Sequence, residues 1–306
     1  MPSVSFDPVA HVYDATRGYP EQVAVQIAQT LAREAQAMPG TAFLEVGVGT
    51  GRIMLPLASL GYTCTGVDIS EKMLGQLEVK LRSAGWQQSE ADEQPWGRLA
   101  DEDTTTVAAV PAVRRFRQHE GTGNLRLVSA NMCQLPFRDA SFDVVIAVHV
   151  FHLVQDWQQA VKEVLRVLRP GGMLLHCGDI YGTSGEGQMD DMERINKEWQ
   201  QILQALGGDL PQRPGVTSHK DVITFLEKRG LQTVEECALT WEEARQPRKI
   251  IQAIAERAWS SSWAIPDSIF VPAVERLWQW GEEYYGAEMD SERKVERRFM
   301  ISKTRV

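Results

Sequence analysis

The sequence predicts an α/β fold with a doubly wound, mostly parallel sheet and an added helical lobe. Short apolar strands without polar alternation are each separated by one helix, which is typical of a parallel sheet covered by helices on both faces. A glycine-rich turn joins the first of these strands to the next helix. Beyond about residue 180 the pattern changes to helical stretches with many tryptophans.

Composition and charge limit the function classes that fit this chain. It has 306 residues, with 32 Lys and Arg against 41 Asp and Glu, for a formal net charge of -9. This charge disfavours binding to nucleic acid or to an anionic membrane surface, because such binding relies on excess basic residues. There is neither a signal-peptide pattern nor an apolar run of about 18 residues. We therefore expect a cytoplasmic protein without a membrane partner.

The cysteines give no sign of a metal site or of a disulfide framework. The chain has four of them, and no two are arranged as Cys-x-x-Cys. Zinc sites and small disulfide-rich domains both require closer or more regular spacing. We therefore predict no metal.

The first 85 residues alternate between helices and strands. Apolar residues recur at four-residue spacing from Val23 to Leu31, which predicts an amphipathic helix. The elements predicted after it are a strand over 42–46, a turn with three glycines, a helix over 53–60, a strand over 63–67 closed by Asp68, and a helix from the N-cap Ser70 to Leu81.

Residues 86–124 interrupt this alternation with a long polar stretch. We interpret it as an insertion, mobile or partly helical near Val107–Phe116. The alternation then resumes, with predicted strands over 125–130, 143–150 and 173–177 and a predicted helix over 156–168.

The C-terminal part reads as a lobe added to the sheet domain. We predict helices over 186–206 and 218–229, and late strands over 231–239 and 296–304. Between the two late strands we predict a helical segment that holds Trp241, Trp259, Trp263, Trp278 and Trp280. The predicted domains are therefore 1–180, with the insertion 86–124, and 181–306, the helical lobe plus the last strands of the sheet.

The glycine-rich turn at Gly47–Gly51 is the most informative segment. Glycines leave room for a ligand to contact the backbone, and the N–H groups at the start of the following helix face that ligand. Asp68 ends the next strand. Its separation from the turn along the sequence is the one at which an acidic residue of such a fold can bind the ribose hydroxyls. A dinucleotide site requires the pattern G-x-G-x-x-G/A. If the pattern starts at Gly47, its third glycine position is Arg52, and if it starts at Gly49, that position is Met54. A nucleotide-like ligand other than a dinucleotide is indicated.

The pattern Glu-x-Gly-x-Gly-x-Gly over 45–51 resembles that of class I S-adenosylmethionine-dependent methyltransferases. The chain is most similar to their ubiquinone/menaquinone-biosynthesis-like branch, methyltransferase type 11, over roughly residues 10–180 without the insertion. The segments that also resemble this family are 13–20, 66–70, 131–137, 141–145, 149–152 and 164–172. The resemblance implies a seven-stranded Rossmann-like methyltransferase sheet and S-adenosyl-L-methionine as cofactor.

The same resemblance implies roles for the residues of the glycine-rich turn. Glu45 would orient the loop and approach the ammonium group of the cofactor. Gly47, Gly49 and Gly51 would admit its methionine and ribose portions. At the end of the next strand, Asp68 would accept hydrogen bonds from the ribose hydroxyls and Ile69 would pack on the adenine.

Further roles fall on later strand ends and on the N-terminal segment. Asn131 and Met132 would flank the adenine edge, although the family usually has Asp where Asn131 stands. The backbone from Ala147 to His149 would line the methionine portion. Tyr13 and Arg17 would close over the cofactor, or would form an ordinary surface cap on the sheet.

Methylation of an oxygen or carbon nucleophile also benefits from a base. The candidates near strand ends are His149, His152, Asp179 and Tyr181. We expect His149 to lie closest to the cofactor and name it as the candidate catalytic residue. The Trp-rich lobe would select the substrate, or its aromatic residues would be the lobe's own core.

These observations lead to one main functional hypothesis and several alternatives. The chain is expected to be a methyltransferase that transfers a methyl group from S-adenosyl-L-methionine to a small-molecule acceptor. It could instead bind the cofactor without catalysis, as a sensor or partner subunit. A nicotinamide-dependent oxidoreductase is disfavoured by the glycine spacing, and a tRNA methyltransferase by the net charge. Protein methylation stays open, as do the acceptor and the oligomeric state.

Overall fold

The computed structural model describes residues 4–89, 113–119, 121–181 and 189–306. These residues form two compact units. Unit 1 comprises the described residues of Met1–Gly178, Pro214–Leu239 and Phe299–Val306, and unit 2 comprises those of Asp179–Arg213 and Thr240–Arg298. The segments 214–239 and 299–306, which lie beyond the predicted boundary at residue 180, thus belong to unit 1.

In the described residues, helices and strands alternate up to about residue 83, and four strands then precede the next α-helix. The strands are β1 (Ala42–Val46), β2 (Thr63–Asp68), β3 (Trp86–Gln88), β4 (Val113–Gln118), β5 (Asn124–Ser129), β6 (Phe142–Val148), β7 (Leu168–Tyr181), β8 (Thr233–Arg245) and β9 (Arg293–Arg305). The helices are α1 (Tyr13–Arg17), α2 (Glu21–Glu34), α3 (Met54–Ser59), α4 (Glu71–Ser83), α5 (Trp157–Val167), α6 (Asp191–Ala205), α7 (His219–Glu227), α8 (Pro247–Ala255) and α9 (Asp267–Tyr285).

The strands form one sheet in the order β3-β4-β5-β2-β1-β6-β7-β9-β8. Strand β1 lies at its centre and pairs in parallel with both β2 and β6. The pairs β2–β5 and β6–β7 are parallel as well. All five residues of β1 are buried, as expected for a strand covered on both faces. The predicted α/β fold with a mostly parallel sheet is therefore confirmed, although the described sheet has nine strands and not seven.

The two additional strands lie in the predicted insertion. Strand β4 pairs antiparallel with both β3 and β5 at one edge of the sheet. The helix predicted near Val107–Phe116 is wrong where the structure describes it, because Val113–Phe116 belongs to β4. Only Phe116 of this strand is buried, and its neighbours are mostly arginines, so the sequence lacks an apolar run. The remainder, 90–112 and residue 120, lies outside the described residues.

Several helices follow directly from their sequence signals. Ile27 and Leu31 of α2 are fully buried, as the four-residue spacing predicts. Ser70 caps α4 by accepting a hydrogen bond from the backbone N–H of Met73. Ser218 caps α7 in a reciprocal pair with Asp221.

Unit 2 has an apolar core of its own, formed by α6, α8 and α9. Trp199 of α6 meets Phe270 of α9 edge to face, with the ring centroids 5.6 Å apart. Trp259, Trp278 and Trp280 pack against the same cluster of buried residues. These aromatic side chains therefore contribute to the core of this unit. Trp241 lies in β8, so its predicted place in the helical segment is wrong.

No helix in the described part of the chain is both long enough and apolar enough to cross a membrane.

Candidate functional site

A cavity opens in unit 1 at the carboxyl ends of β1, β2, β5 and β6. Its empty volume is about 660 Å³, including the part open to solvent. Ligands of open α/β sheets bind at this end of the strands. The cavity is lined by Val4, Phe6, Tyr13, Gly47, Gly49, Val67, Asp68, Ile69, Met73, Ala130, Asn131, Met132, Val148, His149, Val150, Leu153 and Val154.

The three glycines after β1 have different neighbours. All three have a positive φ: +76° at Gly47, +55° at Gly49 and +75° at Gly51. Gly47 and Gly49 line the cavity, and a Cβ at Gly47 would lie 2.5 Å from a methyl group of Val150. Gly51 is not a lining residue, and a Cβ there would lie 2.4 Å from Leu77. The role of Gly51 in this structure is therefore close packing against α4.

Asp68 connects the end of β2 to the glycine loop. Its Oδ2 accepts a 2.8 Å hydrogen bond from the backbone N–H of Gly49, and its Oδ1 accepts one of 2.8 Å from that of Ser70. Burial raises the pKa of Asp68 from its ordinary value, although these N–H groups lower it. A carboxylate has about four acceptor positions, so hydrogen bonds from ligand hydroxyls remain possible. Next to it, Ile69 is 48% exposed and offers an apolar surface.

Glu45 lies in β1 behind the loop and does not line the cavity. It is only 2% exposed, and within the described part of the chain its Oε2 has no hydrogen-bond partner. Burial raises the pKa of Glu45 to about 8, although the Arg52 guanidinium acts in the opposite direction. The carboxyl is therefore largely protonated at neutral pH. Its contact with a ligand ammonium group stays a prediction.

The N-terminal segment contributes Val4, Phe6 and Tyr13 to the cavity wall. Arg17, in contrast, is not a lining residue, because its guanidinium lies over the rings of Phe6 and Tyr13, 5.3 and 5.0 Å from their centroids. It stabilises the aromatic residues that form the wall.

Two sets of contacts attach this segment to the glycine loop. The Asp14 carboxylate accepts a 2.6 Å hydrogen bond from Thr50 Oγ1 and pairs with Lys80 Nζ of α4 at 2.6 Å. The guanidinium of Arg52 donates to the backbone oxygen of Arg17 at 3.0 Å. The loop and the N-terminal segment thus support each other.

The ends of β5 and β6 complete the cavity. Asn131 and Met132 both line it, and Asn131 Oδ1 accepts a 2.9 Å hydrogen bond from the backbone N–H of Cys133. The amide nitrogen of Asn131 can donate to a ligand. Ala147 is fully buried inside β6 and is not a lining residue, whereas Val148 and His149 are.

His149 has an uncommon backbone conformation at the end of β6. Its φ is +49°, a region that non-glycine residues seldom adopt and that occurs preferentially at functional sites. Its N–H donates to the backbone oxygen of Cys177 at 3.2 Å. The structure thus brings this candidate base to the cavity.

Of the other candidate bases, His152 and Asp179 do not line the cavity. The Asp179 carboxylate is buried in unit 2 in an ion pair with the Arg297 guanidinium. Tyr181 ends β7, but its side chain lies outside the described residues.

Sequence reasoning missed Val4, Phe6, Val150, Leu153 and Val154, which form most of the apolar wall. The apolar run around residues 150–154 was a usable signal, since it follows directly on a strand end. Val4 and Phe6 carried no such signal because a long-range contact places them: Val4 N donates to Leu153 O at 3.1 Å.

Comparison with known proteins finds similarity to methyltransferase domains. Two family models, each described as a methyltransferase domain, match residues 43–110 and 98–176. Between residues 43 and 176 the chain is thus similar to methyltransferase domains. This confirms the resemblance of the sequence motifs and S-adenosyl-L-methionine as the cofactor of the fold.

Curated relatives are similar to this chain over about half of its length. Demethylmenaquinone methyltransferase of Clavibacter sepedonicus is 28% identical over 176 residues, which is 57% of this chain and 56% of that protein. The 27-O-demethylrifamycin SV methyltransferase of Amycolatopsis mediterranei is 25% identical over 178 residues, 58% of this chain and 53% of that protein. The chain spans about half the length of these relatives.

Solved structures support the fold. The [4+2]-cyclase SpnF is 16% identical with a TM-score of 0.50, and the match covers 94% of this chain and 83% of that one. A putative methyltransferase from Bacillus halodurans is 14% identical with a TM-score of 0.50, covering 91% and 97%. At such identities the likeness concerns the fold alone.

Proposed function

We propose that this chain transfers the methyl group of S-adenosyl-L-methionine to a small, largely apolar acceptor in the cavity of unit 1. The observation that carries this proposal is the meeting of Gly47, Gly49, Asp68 and Asn131 at one end of the sheet, around a single cavity.

The lining residues fit the chemical groups of this cofactor. Asp68 supplies acceptors for the two ribose hydroxyls, and the exposed face of Ile69 can pack on the adenine ring. Asn131 and Met132 flank the adenine edge. Gly47 and Gly49 line the cavity together with Val148 and His149, and the methionine portion can lie beside them.

The bound cofactor supplies an activated methyl group on a sulfonium. The protein has to align the acceptor with it and to exclude water, and such positioning can contribute on the order of 7–11 kcal/mol. The apolar wall of the cavity favours an apolar acceptor and offers few polar groups to which water could bind. It is formed by Val4, Phe6, Val150, Leu153 and Val154. His149 would accept a proton from the acceptor, and a well-placed base of this kind contributes about 10²–10⁴-fold.

Names of relatives support an acceptor of this kind. They include a sterol 4-C-methyltransferase of Caenorhabditis elegans, 24% identical over 163 residues, besides the menaquinone and rifamycin enzymes. Sterols, menaquinone precursors and rifamycins are all small molecules with extended apolar parts.

A second candidate is a protein of this fold that binds the cofactor without transferring its methyl group. The specific observation in its favour is that SpnF, similar in fold, is named as a cyclase. Turnover separates the two candidates. We would incubate the chain with S-adenosyl-L-methionine and a panel of sterols, hydroquinones and hydroxylated macrocycles, and follow by mass spectrometry the replacement of a hydrogen by a methyl group. A methylated product supports the enzyme, whereas cofactor binding without product from any acceptor supports the second candidate.

A further inference from the structure

Two imidazole rings are stacked where α7 meets β7 in unit 1. His176 of β7 and His219, the first residue of α7, have ring centroids 3.8 Å apart and planes 11° from parallel. We call them the stacked pair. His176 is 6% exposed, and Phe151 meets its ring edge to face, with the centroids 5.1 Å apart. The stacked pair is therefore a largely buried contact that joins α7 to the sheet.

The surroundings of His176 do not stabilise a positive charge. Within the described part of the chain, its Nδ1 makes no hydrogen bond, and the ring contacts a second imidazole and a phenyl ring. A proton on His176 would add an N–H donor and a charge, both shielded from water. Burial accordingly lowers the pKa of His176. The stacked arrangement thus requires a neutral His176.

His219 is also poorly placed for a positive charge. It begins α7, and the dipole of a helix disfavours positive charge at that end. Its Nε2 lies 2.6 Å from Ser302 Oγ, a neutral group, and 3.9 Å from the Glu235 carboxylate, which acts in the opposite direction. Two protonated rings 3.8 Å apart would repel each other. While it is stacked, the pair therefore holds one proton at most.

Other titratable groups near the stacked pair do not remove this effect. His149 and His152, in the segment after β6, add positive charge when they are protonated. In α7, Lys220 is exposed, and the Asp221 carboxylate accepts hydrogen bonds from the backbone at the start of its own helix. Protonation of the two further histidines in the same pH range therefore increases the repulsion.

The segment that leads into α7 is bonded to the wall of the cavity. The backbone N–H of Gly215 donates to the backbone oxygen of His152 at 3.1 Å, and that of Val216 donates to the backbone oxygen of Phe151 at 3.3 Å. The next two residues of that segment, 153–154, line the cavity. Phe151 also contacts His176 directly. A displacement of α7 from β7 therefore reaches this part of the cavity wall.

We propose that the stacked pair is a pH-sensitive contact: as the pH falls from about 7 to about 5, proton uptake separates α7 from β7 and loosens the cavity wall at 151–154. In the stacked state both rings resist protonation, whereas separated rings are solvated and bind protons like ordinary histidines. Acid therefore stabilises the separated state. The contact is stable above the ordinary histidine pKa of about 6.5 and weakens below it. A return to neutral pH releases the protons and restores the stack.

Hydrogen exchange followed by mass spectrometry tests this proposal on the full chain without any ligand. Exchange is measured at pH 7.0 and 5.5 and corrected for the intrinsic pH dependence of amide exchange. The opening constant of peptides from α7 should rise by up to about 70-fold, since each of the two histidines contributes up to about 8-fold when separation restores its ordinary pKa. Peptides that cover 151–154 should follow. Peptides from α4, in the same unit, should change little and serve as the internal reference.

Two variants show whether the stacked pair causes the change. His219→Phe and His176→Phe each keep an aromatic ring in the stack and remove one titrating group, so the rise in α7 should be about 8-fold smaller than in the wild type. His219 is partly exposed, so its variant decides the question even if the buried His176→Phe does not fold. The matched control, His119→Gln at an exposed position, should keep the wild-type rise. An equal rise in wild type and His219→Phe, or in α7 and α4, would overturn the proposal.

Discussion

The Asp68 carboxylate accepts a 2.8 Å hydrogen bond from the backbone N–H of Gly49. This bond joins the end of β2 to the loop that follows β1, so the acidic residue and the glycines act as one unit. A substitution of either residue affects the shape of the loop as well as the groups that it offers to a ligand.

Asp68→Asn should weaken the binding of S-adenosylhomocysteine by about 10- to 100-fold, because hydrogen bonds to a charged acceptor are worth roughly 1.5–3 kcal/mol. The amide oxygen of Asn can still accept from Gly49, so the loop should keep its shape. Isothermal titration calorimetry measures the affinity. Asp139→Asn is the matched control, since the Asp139 side chain is largely exposed in its ion pair with Arg166. Unchanged affinity in Asp68→Asn would mean that another acidic residue holds the ribose.

Gly49 and Gly51 should respond differently to substitution. Gly49→Val should abolish S-adenosylhomocysteine binding, because its side chain would enter the cavity from a position with φ of +55°. Gly51→Ala should keep binding but lose stability, since its Cβ would collide with Leu77 and a positive φ costs about 1–2 kcal/mol. Calorimetry and thermal unfolding of both variants provide the test. Normal binding by Gly49→Val would contradict the placement of the loop at the ligand.

Asp14→Asn should accelerate the release of S-adenosylhomocysteine by up to about 5-fold, because it weakens the contacts of the N-terminal segment with Lys80 and Thr50. The change is small since both partners of the ion pair are partly exposed. Stopped-flow displacement measures the release rate. Arg82→Ala, which removes an ion pair within α4, should leave this rate as it is. An equal release rate in both variants would show that the segment does not cover the ligand.

Glu45 should make the protein less stable as the pH rises. Its folded-state pKa of about 8 is above the ordinary value of 4.5, so the folded state binds the proton more tightly than the unfolded state. The stability from this group is present below pH 4.5 and falls by up to about 1.4 kcal/mol per pH unit on the way to pH 8. Urea unfolding of wild type and Glu45→Gln at pH 5.5 and 7.5 checks this. From pH 5.5 to pH 7.5, the unfolding free energy of the wild type should fall relative to that of Glu45→Gln. If the difference between the two proteins is the same at both pH values, the carboxyl is not buried and protonated as described.

Local patterns predicted the parts of the fold that local chemistry determines. The apolar run of β1, the positive-φ glycines and the cap at Ser70 each depend on residues close in sequence. Strand β4 was not predicted, because it lies between β3 and β5 near the sheet edge. There one buried residue, Phe116, is enough to hold a strand that consists mostly of arginines and other polar residues.

Long-range packing determines the features of the site that sequence reasoning missed. Gly51 belongs to the expected motif, but it packs against Leu77 of α4, which comes close to it only in the folded chain. Arg17 lies over aromatic rings, and His176 stacks on His219, which is 43 positions away in sequence. Such contacts leave no periodic trace in a single sequence.

The most direct measurement is a calorimetric titration of the purified protein with S-adenosylhomocysteine, with NADH titrated in parallel. The arrangement of Gly47, Gly49 and Asp68 predicts micromolar binding of S-adenosylhomocysteine and none of NADH. Failure to bind S-adenosylhomocysteine would contradict the assignment of this cavity, and binding of NADH alone would point to a dinucleotide site instead.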